Sequence, residues 1–221
     1  MAETSTAQPL RAGSPRILLI PPVSERDHVQ GPVTAVITLV EYGDYHNREC
    51  AAALPWIESL QSRIGDRLRL VFRHFPASGF PPHAAEAAEA AGLQGRFWPM
   101  HKALLTHQSA LGSGYLVEYA RDMELDTGRF LRDMAGHVCA ERVRRDLAGG
   151  RRSGVQNTPA FFVNGVRQPS SWTGDLSSAV AGSAECAVQV ARWADDGAPA
   201  VPDGADEGCG DESDGVRSDA S

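Results

Sequence analysis

The chain contains no Cys-x-x-Cys pair. Its four cysteines, Cys50, Cys139, Cys186 and Cys209, lie far apart. Neither a dithiol redox motif nor a cysteine-rich metal knuckle is therefore written in the sequence. At 221 residues, 42% of them hydrophobic, the chain can bury a core without a disulfide framework. Four free thiols in a reducing compartment are expected. No apolar run is long enough to span a bilayer. The early run Ile17-Leu18-Leu19-Ile20 is too short for a signal-peptide core and is stopped by Pro21-Pro22. These features predict a soluble, cytoplasmic protein without membrane insertion. No internal repeat is found.

A basic surplus is missing too. The formal net charge is −7, and residues 195–221 hold nine acids against one base, Arg217, leaving about +1 for everything before them. Nothing favours a nucleic-acid partner. Residues 195–221 are Gly/Pro/Ser-rich with almost no large apolar groups, so they read as a disordered acidic tail. Residues 1–30 read as a flexible N-terminal segment, with a short strand at Arg16–Ile20. His83, His101 and His107 are scattered and share no zinc-ligand spacing with Cys50, so no metal is expected, nor any cofactor.

What is present centres on Val33–Ala53, VTAVITLVEYGDYHNRECAAA. β-Branched residues from Val33 to Glu41 predict a buried strand. The polar tetrapeptide Asn47-Arg48-Glu49-Cys50 then opens a helix running to Ile64. Cys50, Leu54, Ile57, Leu60 and Ile64 step along one face, and Gly65 serves as C-cap. Such an elbow puts unpaired backbone N–H groups and the positive end of the helix dipole where a thiolate is favoured. Cys50, one turn in, should be less exposed, with its pKa raised relative to an exposed N-terminal thiolate.

Downstream, Arg67–His74 reads as a strand ended by Phe75-Pro76. Helices are expected at His83–Gly92, Arg96–Thr106, Tyr115–Met123, Thr127–Met134 and His137–Leu147, the last broken by Gly149-Gly150. Ala160–Val163 reads as a compact strand, Asn164-Gly165 as a hairpin turn and Val166–Gln168 as the returning strand. A final helix is expected over Asp175–Trp193.

The elbow resembles the active site of the thioredoxin superfamily, and EYGDYHNREC resembles its DsbA-like branch. That branch includes the thioredoxin domains fused to some sodium/proton antiporters. The register rests on Glu41, Pro55, FWPMHKALL and TPAFFVNG. The resemblance implies an α/β fold: a thioredoxin core with an inserted helical subdomain at about residues 80–150, within a domain of residues 31–194. It identifies Cys50 with the resolving cysteine and puts Asn47 where the nucleophilic cysteine would stand. It implies that Glu41 is the buried acid that moves the Cys50 proton. It also implies that Pro159 is cis and faces Cys50, while Thr158 binds an extended substrate backbone. His46, beside the elbow, is a candidate for tuning the site.

Three functions remain open at this stage. One is a thiol–disulfide oxidoreductase with a degenerate N-x-x-C, monothiol site acting on a peptide or protein thiol or disulfide. Another is a redox-inactive module binding a peptide or protein partner. The last resembles glutathione-dependent transferases and isomerases, with Asn47 orienting a small thiol. Each functional residue also has a plainer reading. Cys50 serves as a small buried hydrophobe. Asn47 is among the best N-caps. Glu41 is a strand-end carboxylate and His46 an exposed loop histidine.

Overall fold

A computed structural model describes residues 17–77, 82–168, 180 and 182. Strand β2 (Ile37–Gly43) is the middle of a five-stranded sheet ordered β1-β3-β2-β4-β5. It runs parallel to β3 (Leu68–His74), from Ile37 beside Leu68 to Gly43 beside His74. Antiparallel pairs join β1 (His28–Gln30) to β3, β2 to β4 (Ala160–Val163) and β4 to β5 (Val166–Arg167). Helix α1 (Arg48–Ile64) makes the crossover between the parallel pair, as a parallel connection requires.

The apolar run of β2 is explained by cover on both faces. Ile37 and Leu39 pack with Ala53, Ile57 and Leu60 of α1. Val40 and Tyr42 point the other way, into a cluster with Leu19, Val71, Val155 and Phe162. Alternation along the strand therefore puts Glu41 on the α1 face. Pro55 sits inside α1 on its exposed side and removes the i→i−4 hydrogen bond to the Ala51 carbonyl.

Helices α2 (His83–Gly92), α3 (Phe97–Thr106), α4 (Ser113–Asp122), α5 (Thr127–Ala135) and α6 (Ala140–Arg152) form the insertion between β3 and β4. Its hub is α2, whose alanines bury among Phe97, Met100, Leu104, Leu116, Phe130 and Val143. This is the α/β thioredoxin arrangement with a DsbA-like helical subdomain that the resemblance implied.

Three expectations change. Helix α6 runs to Arg152, through the Gly149-Gly150 pair. A Cβ on Gly150 would lie 2.5 Å from the Phe75 ring, so these glycines admit close packing of α6 on Phe75 and Tyr42. The domain also starts before residue 31. Leu19 is buried, Leu18 bridges Val166, and β1 lies within the segment expected to be flexible. The cause is Arg73. Its guanidinium takes both Asp27 carboxylate oxygens at 2.8 and 3.0 Å, and donates to Tyr42 Oη and the carbonyls of Pro21 and Pro22. Of the strand expected at Arg16–Ile20, Arg16 lies outside the described residues, and within 17–20 Leu18 makes a single bridge to Val166. Of the expected final helix, the structure describes Val180, buried in the α1-side core, and Gly182. The acidic tail lies outside the described residues.

Glu89 of α2 ties the insertion to the sheet. Its Oε1 accepts from His28 Nε2 of β1 and His74 Nε2 of β3, both at 2.8 Å. Burial pushes the Glu89 carboxyl up, but the hydrogen bonds and charges of His28 and His74 more than offset this and hold it below the usual range. A carboxylate held low stabilises the fold above its ordinary pKa of about 4.3, and that stability is lost as pH falls below it. Glu89→Ala is expected to cost on the order of 3 kcal/mol at neutral pH in urea unfolding, because it strands both imidazoles. The gap from wild type should narrow in acid.

Candidate active site

The elbow between β2 and α1 is built by side chains that satisfy its backbone. Asn47 is extended (φ −92°, ψ 120°), and its Oδ1 accepts the Glu49 N–H at 2.9 Å, which makes it the N-cap of α1. Buried Asp44 accepts the N–H groups of His46 at 2.9 Å and Ala77 at 3.0 Å. Gln108, after α3, donates to the carbonyls of Tyr45 and Asn47 at 2.9 and 2.8 Å. Tyr45 is buried against Phe72, with its hydroxyl 3.0 Å from His101 Nδ1. The insertion thus braces the elbow directly.

From the other side comes the loop that enters β4. Its Thr158–Pro159 peptide is cis. Asn47 Nδ2 donates to the Thr158 carbonyl at 2.6 Å and to Thr158 Oγ1 at 3.0 Å. The Thr158 side chain comes close enough to Cys50 to act on its thiol. Cys50 is 0% exposed, and its Sγ also accepts the Asp44 N–H at 3.4 Å. Glu41 lies close enough for its charge to act on Cys50 and is itself buried. The structure therefore brings Asn47, Cys50, Glu41 and Thr158 into one group, with Pro159 next in the chain. His46 is half-buried and turned toward Asp44, with Nδ1 3.6 Å from Oδ1.

Burial pushes the Cys50 thiol far up. The charges of Glu41 and Asp44 add to this, against the Asp44 N–H and the Thr158 hydroxyl. A helix N-terminus contributes about 0.3–1 kcal/mol, up to ~2 in favourable cases. Full burial moves a pKa by as much as 3–5 units at about 1.4 kcal/mol each. Desolvation therefore overrides the dipole that made the position look suited to a thiolate. Burial also raises the Glu41 carboxyl to about 8, and its Oε1 has no hydrogen-bond partner among the described residues. At neutral pH the acid and the thiol are both protonated.

Asp44 and Gln108 were not singled out as site residues. The Asp-x-His spacing is an Asx-turn signal and could have marked Asp44. Gln108 lies in a loop and carries no such signal. Cys139 belongs to another neighbourhood: burial, then Glu89, Asp133 and Glu86, raise its thiol to about 11. Cys186 and Cys209 lie outside the described residues. His74, Glu89 and Asp146, all buried, bring one ligand atom each within 4.8 Å of one another. Their groups already serve hydrogen bonds with His28, Arg142 and the His74 N–H. A cavity of about 630 Å³ opens near Arg73, Arg142 and Asp146, away from the elbow. A smaller one beside the elbow, lined by residues including Asp44, Tyr45, His46 and His74, measures about 10 Å³. No helix among the described residues is long and apolar enough to cross a membrane.

The Glu41 carboxyl has a sign that can be checked. Between its ordinary pKa and about 8, the native state keeps a proton that the unfolded chain has released. Rising pH therefore favours unfolding in this window, by at most about 1.4 kcal/mol per unit. Glu41→Gln is expected to flatten this slope in chemical denaturation run from about pH 5 to about pH 8.

A family profile described as Thioredoxin matches residues 23–180. The Na(+)/H(+) antiporter NhaA 1 of Salinispora arenicola is 41% identical over 185 residues, covering 82% of this chain and 28% of the antiporter. NhaA of Herminiimonas arsenicoxydans is 43% identical over 165 residues, covering 74% and 27%. The chain thus spans just over a quarter of the length of these curated relatives. Among solved structures, oxidised BdbD from Bacillus subtilis superposes with TM-score 0.64 at 22% identity, covering 71% of this chain and 92% of BdbD. A thioredoxin-like oxidoreductase from Silicibacter pomeroyi superposes with TM-score 0.63 at 28% identity, covering 76% and 94%. Profile, relatives and superpositions agree with the elbow geometry: the chain belongs to the thioredoxin family, as a DsbA-like domain.

Proposed function

We propose that this domain is a DsbA-like thiol–disulfide oxidoreductase working with a single thiol. Its N-x-x-C site would let Cys50 form mixed disulfides with a peptide or protein partner held at the Thr158–Pro159 loop. The observation that carries the reading is the hydrogen-bonded meeting of Asn47 and Thr158 at the start of α1, with buried Cys50 and Glu41 close by. The minor fraction of Glu41 that is ionised below its raised pKa of about 8 takes the Cys50 proton. The thiolate attacks one sulfur of the partner's disulfide, the new S–S bond forms, and the other sulfur leaves as a thiolate that is then protonated. With Asn at position 47, no second thiol of the site can resolve the mixed disulfide. An external thiol must do so. Both described cysteines are free, in keeping with the proposed cytoplasmic setting.

A second reading is a redox-silent domain that binds an extended peptide. The burial of Cys50 and its raised thiol pKa favour it.

Two measurements separate the readings. Asn47→Cys is expected to form a disulfide with Cys50 and to reduce insulin about 100-fold or more faster than wild type, because a dithiol site acts as a unit. Wild-type protein exposed to glutathione disulfide should gain one glutathione on Cys50 by peptide mass mapping, slowly, and Cys50→Ala should not gain it. Wild-type Cys50 left unmodified would favour the binding module.

A further inference from the structure

An N-cap needs only an acceptor, which Ser, Thr or Asp would supply as well as Asn. Asn47 does more. A carboxamide carries two N–H donors besides its oxygen. Oδ1 is spent on Glu49, while Nδ2 reaches the Thr158 carbonyl and hydroxyl, 111 residues along the chain. Thr158 stands close enough to Cys50 to act on its thiol. One side chain therefore ties the first turn of α1 to the loop before β4, and the sulfur beneath is fully covered while Asn47 and Thr158 are only half-buried.

We propose that the Asn47 carboxamide is a latch. It holds the Thr158–Pro159 loop closed over Cys50 by occupying the Thr158 carbonyl, and an extended peptide that presents its own backbone N–H to that carbonyl releases it. The exchange gives the Thr158 carbonyl a new N–H donor in place of the Asn47 amide, and the half-buried amide and Thr158 hydroxyl turn to water. Asn47 is thus a positioning residue that gates access to the sulfur. The closure stands on the geometry alone, whereas its release by peptide rests on the reading of the loop given above.

The test is the rate at which iodoacetamide labels Cys50 in the native full-length chain, followed by peptide mass mapping. Buried Cys139 in the same digest reports global opening. Asn47→Ser keeps the cap and loses side-chain volume, Asn47→Leu keeps the volume and loses the cap, and both lose the latch. Both are expected to speed Cys50 labelling about tenfold relative to Cys139, as loss of one or two neutral hydrogen bonds allows. Acceleration in Ser alone would mean that volume covers the sulfur. Acceleration in Leu alone would mean that the cap does, and no acceleration would mean that the link carries nothing. Each of these overturns the latch. A fluorescein-labelled insulin B chain with its cysteines carboxymethylated should bind Asn47→Ser about tenfold tighter than wild type by anisotropy. Absence of binding to either, with Cys50 released in both variants, would overturn the peptide reading of the loop and the peptide release while the closure stands.

Discussion

Strand β2 lies in the centre of the sheet with both faces covered, and whatever stands at its C-terminal end is taken out of water. The rest of the site follows from that desolvation. Glu41 loses its charge at neutral pH, and Cys50 keeps its proton although it sits in the first turn of a helix. The elbow's backbone cannot rely on solvent, so Asp44, Gln108 and Asn47 satisfy it. Buried polar groups that find partners cost little, and those left without one cost much. The carboxyl oxygen of Glu41 is the exception among these residues.

Asn47 joins two segments that meet only in the folded chain. Its carboxamide caps α1 and meets Thr158 by hydrogen bonds, with buried Cys50 close by. The junction between the start of α1 and the loop before β4 is a polar contact. Such a contact is weaker than a covalent bond and responds to competition by other donors rather than to reductant.

Much of this was legible in the sequence because the signals were local. The β-branched run, the polar elbow, the stepped face Cys50-Ile57-Leu60 and the Asn164-Gly165 turn lie within a few residues of one another. Asn47 as an N-cap was also readable, since capping depends on the next two residues. Its bond to Thr158 was not, because 111 residues separate the partners. The same limit hid the Arg73–Asp27 pair, 46 residues apart, and with it the docking of residues 17–30. Gly149 and Gly150 looked like a helix end because glycine weakens helices. Their purpose, close approach to Phe75 and Tyr42, exists only in the packed molecule. The pKa of Cys50 could be argued in either direction until its burial was known.

The most direct measurement is the thiolate absorbance of Cys50 as a function of pH in native protein, taken as the difference from Cys50→Ala. The expected result is no ionisation up to and beyond the free-thiol value of about 8.5 while the fold persists. A thiolate that forms below neutral pH in the folded protein would contradict the account. It would mean that the helix terminus, rather than desolvation, governs the sulfur.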